Sequence, residues 1–242
     1  MGHKRADVLL VERGFFESRA KARAAIDAGN VTADGRPVAK PSEALDESAE
    51  IVAAAAHPWV GRGGLKLLHA LEAWPIEVAG RVVLDVGAST GGFTEVALTR
   101  GAARVYAVDV GRDQLHVRLA GDPRVVSLEG VDARSLTRDL IPEAPGLIVT
   151  DVSFIGLAKA LPTALSLAAP DAELVALVKP QFELGPERVG KGGVVKDEAA
   201  RAEAVAGVRA FLEAAGWSVE ATAPSPIAGG DGNREVLLWA KR

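Results

Sequence analysis

The sequence predicts an α/β fold, an open sheet with helices on both faces, preceded by a small α+β module. Two observations carry that expectation. In Val82-Val83-Leu84-Asp85-Val86-Gly87-Ala88-Ser89-Thr90-Gly91-Gly92-Phe93, a β-branched run ends in an acid and a glycine turn and then opens a helix. Open α/β sheets bind cofactors at such places. Residues 1–40 hold eight basic against five acidic residues, although the 242-residue chain has a net charge of −4. The N-terminus therefore has a composition of its own. With 48% hydrophobic and 25% charged residues, the chain can bury one substantial core and a small second one. We place the module at residues 1–53, a linker at 54–61 and the larger domain at 62–242.

Within the module, Asp7–Arg13 carries Val8, Leu9 and Val11 ahead of Gly14 and reads as a short helix. Ser18 reads as the N-cap of a second helix over Arg19–Ala28, stopped by Gly29. Arg19 and Arg23 are four apart and share a helical face. Asn30–Val38 offers two short strands around Asp34-Gly35, and Ala49-Glu50-Ile51-Val52 offers a third. The pattern Arg5-x-Asp7-x-Leu9-Leu10-x-x-Arg13-Gly14, Ser18-Arg19-x-x-Ala22, Ile26-x-x-Gly29-x-Val31 and Asp34-Gly35 resembles the S4-type RNA-binding domain. That resemblance implies that Arg5, Arg19, Lys21 and Arg23 face RNA phosphates, contacts that position a nucleic acid without reading its sequence. In the linker, Pro58 argues against an ordinary helix.

The turn Gly87-x-x-x-Gly91-Gly92, with Asp85 just before it, departs from the G-x-G-x-x-G spacing that seats a dinucleotide pyrophosphate. A carboxylate beside the turn suits a cationic ligand better. Asp109 closes Arg104–Val108, where a strand-end acid accepts hydrogen bonds from ribose hydroxyls. Asp132, after Val125–Leu128, is expected to end a third strand in the same way. Three strand-end acids around a glycine turn resemble the S-adenosylmethionine site of Rossmann-like methyltransferases. The resemblance assigns Asp85, Gly87, Ser89, Thr90, Gly91, Gly92, Phe93, Asp109 and Asp132 to the cofactor.

Four further charges sit at element ends. Lys66 lies in the first turn of a helix opened by Gly61-Arg62-Gly63-Gly64, where the helix dipole disfavours a cation. Asp151 ends the apolar strand after Gly146, Lys179 ends Leu174–Val178, and Glu235 starts the strand through Trp239. Together they resemble the Lys-Asp-Lys-Glu tetrad of FtsJ-type ribose 2′-O-methyltransferases. A 2′-hydroxyl is a weak nucleophile that must be held in line and relieved of its proton. Two ammonium groups in a partly dry site disfavour one another, so one amine can serve as base. The resemblance implies Lys179 as base, Asp151 orienting it, Lys66 beside the forming alkoxide and Glu235 fixing Lys66 or the ribose. This chemistry needs no metal.

The basic module joined to this tetrad, together with Gly63-Gly64-Leu65-Lys66-Leu67, Ser89–Thr94, Val108-Asp109-Val110-Gly111, Asp151-x-Ser153-Phe154-Ile155, Lys179-Pro180-Gln181-Phe182-Glu183 and Gly190–Val195, is similar to the TlyA family from about Arg5 onward. The resemblance implies a ribosomal RNA cytidine 2′-O-methyltransferase that acts on ribosomal RNA or ribosomal subunits and turns S-adenosylmethionine into S-adenosylhomocysteine. Gly61 and Gly156 stand where the family pattern has serine, which touches loop packing and RNA fit. Short ends resemble the briefer family subtype, a large-subunit modifier. A cysteine-free chain with no apolar run of membrane-spanning length is expected to be cytoplasmic, without disulfides, zinc-thiolate sites or a membrane partner. The haemolysin name attached to the family would need a membrane-active element that this sequence lacks. A non-catalytic assembly protein would be favoured by a missing tetrad residue. Base methylation would be favoured by an Asn/Asp-Pro-Pro-Tyr loop, and Asp151-Val152-Ser153-Phe154 lacks those prolines. Phe154 and Phe182 read as core, with stacking on an extruded nucleotide as the other reading.

Overall fold

The computed structural model describes residues 2–190, 192–229 and 231–242. Lys191 of the Gly190–Val195 motif and Gly230 lie outside the described residues. The chain divides into two units, Met1–Pro58 and Trp59–Arg242.

In the first unit, β1 (His3–Arg5), α1 (Ala6–Glu12), α2 (Arg19–Asp27), β2 (Val31–Ala33), β3 (Arg36–Pro37), β4 (Ala44–Asp46) and β5 (Ile51–Ala53) follow one another. Ser18 caps α2 by accepting a hydrogen bond from the Lys21 amide at 3.3 Å, which satisfies one of the free donors of a helix start. Asp34 and Gly35 take left-handed backbone angles and join β2 to β3 in the tight hairpin that Asp-Gly favours. The small sheet has the order β3-β2-β5, and β1 pairs with β4 beside it. The β1–β4 ladder is three residues per strand and largely polar, so no hydrophobic period marks it in the sequence. Leu9, Leu10, Ala22, Ile26, Val31 and Ile51 are buried together as the core.

The second unit runs α3 (Gly63–Ala73), β6 (Val82–Val86), α4 (Gly92–Thr99), β7 (Arg104–Asp109), α5 (Val117–Ala120), β8 (Val125–Glu129), β9 (Leu147–Thr150), α6 (Leu157–Ala160), α7 (Pro162–Ser166), β10 (Glu173–Val178), α8 (Pro180–Glu183), α9 (Glu198–Ala214), β11 (Ser218–Pro224) and β12 (Val236–Lys241). Among the described residues these strands form one seven-stranded sheet of order β11-β12-β10-β9-β6-β7-β8. From β10 to β8 the neighbours are parallel, while β12 is antiparallel to both β10 and β11.

Strand alternation assigns the two faces. Leu84, Tyr106, Ile148, Leu174 and Leu238 pack with Leu157 from α6, Leu161 from the turn after it, and Val208 and Leu212 from α9. Val83, Val105, Leu147, Val175 and Leu237 pack with Leu67, Phe93 and Val96 from α3 and α4. Helices thus cover both faces, as nearly continuous apolar strands require.

The strand order reverses between β6 and β9, the place where the carboxyl ends of such a sheet leave a crevice. Because β12 runs against β10, its first residues lie at that same edge: Val178 pairs with Val236. The fold therefore brings a strand-start glutamate to the ends of the parallel strands.

The crevice is closed underneath by the starts of α3 and α4. A Cβ placed on Gly92 would stand 2.9 Å from the Gly64 amide nitrogen and 3.1 Å from the Gly61 carbonyl oxygen, and backbone atoms cannot swing aside. Gly92→Ala should therefore cost about 1–3 kcal/mol, the usual penalty of overpacking, read as a lower Tm in thermal unfolding. An unchanged Tm would show that the two helix starts can separate freely.

Candidate active site

Four charged side chains meet at the crevice in alternating order. Lys179 Nζ lies 2.6 Å from Asp151 Oδ1, Asp151 Oδ2 lies 3.5 Å from Lys66 Nζ, and Lys66 Nζ lies 2.7 Å from Glu235 Oε2. Lys66, Lys179 and Glu235 are buried, and Asp151 is mostly so. Each arrives on a separate element: Lys66 from the first turn of α3, Asp151 after β9, Lys179 after β10 and Glu235 before β12. The two carboxylates answer the cation at the α3 start, a position that the helix dipole alone would disfavour. Lys179 also donates to Ser153 Oγ at 2.8 Å and to the Asp151 carbonyl at 3.3 Å, so its ammonium group is held from three directions.

Two cavities open on this cluster. The smaller, about 270 Å³, is lined by Lys66, Thr90, Asp151 and Lys179. The larger, about 800 Å³, is lined by Asp109, Gln114, Asp132 and Ile155. Gly87, Ser89, Asp151 and Ser153 line both, so the cavities adjoin at the Asp151 carboxylate. Of the expected cofactor residues, Thr90, Gly92 and Phe93 line the smaller cavity. Gly91 lines neither, and instead starts α4 with φ near 95°. The Asp109 carboxylate accepts from the Ser89 and Gly111 amides, both at 2.7 Å, which ties the glycine turn to the end of β7. The donor set fits a cofactor with a cationic centre and a ribose, since it offers carboxylates at the strand ends and an apolar wall.

Three expectations need correction. Asp85 does not face the crevice. It is the fourth of five residues in β6, so strand alternation turns its fully buried side chain toward α4, where Thr94 Oγ1 donates to its Oδ2 at 2.6 Å. Burial pushes its carboxyl up to about 7, and the charge of Asp151 adds to the rise against the Thr94 hydrogen bond. Asp132 does not end a strand: β8 stops at Glu129, and Asp132 lies three residues on, where Arg134 binds both its oxygens. That ion pair holds its carboxyl down at about 2. Glu129 instead supplies the strand-end acid and accepts from the Gln114 and Leu115 amides. Phe154 is not core: it is 91% exposed, on backbone with φ near 66°, and its ring leans on Phe182 with centroids 5.2 Å apart.

Sequence reasoning gave no role to Ser153, Arg62 or Glu183. Ser153 and Glu183 stood within quoted motifs whose spacing does not say that they grip a loop. Arg62 is exposed at the smaller cavity, and its only signal was its place in a glycine cluster.

In the first unit, the expected RNA-facing residues do not all behave alike. Arg5, Arg19 and Arg23 converge on the fully buried Asp7 at 3.0, 2.9 and 3.0 Å. The Arg5 guanidinium, joined by those of Arg19 and Arg23, holds the Asp7 carboxyl well below the usual carboxylate range against its burial. Three half-exposed guanidinium groups around one carboxylate leave an excess of positive charge. Lys21 stands apart, paired with Glu17 one turn away.

The FtsJ-like methyltransferase family model matches residues 59–242, and the S4 domain model matches residues 4–51. The 16S/23S rRNA (cytidine-2′-O)-methyltransferase TlyA of Mycobacterium tuberculosis is 48% identical over 98% of this chain and 89% of its own length. A solved structure named as a hemolysin from Streptococcus thermophilus is 39% identical, with a TM-score of 0.79 over 100% of this chain and 89% of that one. An S-adenosylmethionine dependent methyltransferase from Mesorhizobium loti shares the fold of the second unit at 18% identity, with a TM-score of 0.56 over 75% of this chain and 100% of its own. Among the described residues no helix is long and apolar enough to cross a membrane.

The Asp85 carboxyl gives a pH signature. A carboxyl raised from 3.8 to about 7 adds stability that is full below pH 4 and lost as pH climbs through 7, roughly 4 kcal/mol at most. Asp85→Asn should flatten the dependence of Tm on pH between 5 and 8. A variant whose Tm falls with rising pH as steeply as the parent's would contradict the assignment.

Proposed function

The chain belongs to the TlyA family of FtsJ-like methyltransferases, and from that premise we propose that it transfers a methyl group from S-adenosylmethionine to a ribose 2′-hydroxyl of ribosomal RNA, at a cytidine of 23S or 16S rRNA. The observation that carries this reading is the alternating Lys179, Asp151, Lys66, Glu235 chain at the mouth of two adjoining cavities.

In this reading Asp109 and Asp132 hold the nucleoside end of the cofactor, and the turn Gly87–Phe93 holds its amino acid end. When bound, the cofactor supplies a methyl group activated on a sulfonium. Asp151 places negative charge beside that cation and, through its other oxygen, fixes Lys179. Lys179, once its ammonium proton has passed to solvent, would accept the 2′-hydroxyl proton as that oxygen takes up the methyl group, the donor's sulfur being left as a neutral thioether. Lys66, held by Glu235, puts positive charge where the oxygen becomes anionic. The smaller cavity receives the ribose. Phe154, exposed beside Ser153, offers a ring for the target base, and such stacking contributes about 1–3 kcal/mol. In the first unit, the Asp7-centred arginines and Lys21 meet RNA phosphates.

Methyl transfer from labelled S-adenosylmethionine to purified ribosomal subunits, followed by mapping of alkali-resistant ribose positions, tests the reading. The parent protein should create a 2′-O-methyl cytidine, and Lys179→Ala should lose about 10²–10⁴-fold in rate while keeping its affinity for the cofactor. Retained turnover in Lys179→Ala would remove it as the base. Absence of transfer to either subunit by the parent protein would favour a non-catalytic assembly role. Arg19→Ala combined with Lys21→Ala should weaken RNA binding and flatten its salt dependence by about 0.7–0.9 in log–log slope for each phosphate that is no longer neutralised. An unchanged slope would take that face out of RNA binding.

A further inference from the structure

Lys179 and Glu183 mark the two ends of α8, a single turn, and both grip the same loop. At one end Lys179 Nζ meets the Asp151 carboxylate, the Asp151 carbonyl and Ser153 Oγ. At the other, Glu183 Oε1 accepts the Leu157 amide at 2.9 Å, the first N–H of α6. Between the two grips lies Val152–Gly156, which carries Phe154 in a left-handed backbone conformation with its ring on Phe182. A bulky residue held there costs about 1–3 kcal/mol, and such strain persists only where the surroundings over-determine it. The fit is tight at its far end: a Cβ on Gly156 would stand 3.1 Å from both Glu183 Oε2 and the Phe182 carbonyl oxygen.

We infer that Glu183 is a positioning residue for methyl transfer, one that seats the Val152–Gly156 loop so that Ser153 and Phe154 meet the RNA substrate in register with Lys179. The inference rests on the methyltransferase reading above, and it concerns a residue outside the charged chain. Glu183 needs only to accept a hydrogen bond, so the carbonyl of glutamine can replace its carboxyl. It reaches the chemistry through the loop and touches neither methyl donor nor ribose.

The test compares Glu183→Ala and Glu183→Gln in steady-state methylation of ribosomal subunits, below the Tm of every variant, with amide hydrogen exchange at Leu157 measured alongside. Glu183→Ala should raise KM for the subunit roughly tenfold, the scale of one lost hydrogen bond, and leave cofactor affinity within about threefold, a difference under 1 kcal/mol. Glu183→Gln should restore KM to near the parent value. Leu157 should lose exchange protection in the alanine variant and keep it in the glutamine variant. If Glu183→Ala does not fold, Gly156→Ala presses on the same contact at an ordinary φ of −75° and should raise KM in the same direction. Parent-like KM in both Glu183→Ala and Gly156→Ala would overturn the inference, as would a glutamine variant as impaired as alanine. A fall in Tm without a change in KM would reduce Glu183 to a structural role. Leu157 protection reads the grip without any RNA, so a parent protein inactive on subunits would discredit the methyltransferase reading, whereas unchanged protection in Glu183→Ala would discredit the grip itself.

Discussion

Asp151 is the constraint on which the buried charge cluster of the second unit depends. One carboxylate stands between two lysines, 2.6 Å from one and 3.5 Å from the other, and it also borders both cavities. Removing charges from water costs several kcal/mol per ion, and their mutual attraction offsets this only where geometry and hydrogen bonding are good. Alternation of sign supplies that geometry. Removing one member leaves an uncompensated buried charge, which costs about 3–5 kcal/mol. An apolar cluster would serve stability as well, so stability alone does not account for the charges.

The sheet makes this cluster possible through one departure from a parallel fold. Had every strand been parallel, all strand starts would lie at the opposite edge from the crevice. The antiparallel β12 reverses that, so Glu235 enters beside Lys179, and the Val178–Val236 pairing fixes the register. On the other side of the switch point, the Asp109 carboxylate draws the glycine turn onto the end of β7 through two backbone amides. Asp85 works beneath the same turn, in a dry position where its neutral form is favoured. The site is held from below by the close approach of two helix starts and from above by the loop after β9.

That Lys66, Asp151, Lys179 and Glu235 meet was legible from their places at the ends of apolar strands or a glycine-opened helix and from their resemblance to the FtsJ-type set. The open sheet was legible for a related reason, since its central strands β6, β7, β9 and β10 are apolar and buried along most of their length. Asp85 was misplaced because its neighbourhood in sequence is a turn, while the direction of its side chain is set by strand alternation four residues into β6. Asp132 was misplaced because β8 ends three residues sooner than the next acid, at Glu129. Phe154 read as core by its apolarity, whereas it stands exposed on a left-handed backbone. The convergence of Arg19 and Arg23 on Asp7 joins residues 12 and 16 apart on two helices, a distance at which no helical or strand period speaks, while Arg5 reaches the same carboxylate from the end of β1. The β1–β4 ladder is too short and polar to leave a period at all.

In the proposed reaction the Asp151 carboxylate organises the transfer step as well as the cofactor. The direct test is single-turnover methyl transfer by Asp151→Asn at saturating cofactor and saturating ribosomal RNA, which removes binding from the comparison. Asparagine keeps the size and loses the charge that holds both lysines. Asp151→Asn should lose about 10²-fold or more in rate, as expected when an electrostatic and orienting group is removed from a preorganised site. A rate within about threefold of the parent, a difference of less than 1 kcal/mol in the barrier, would contradict it.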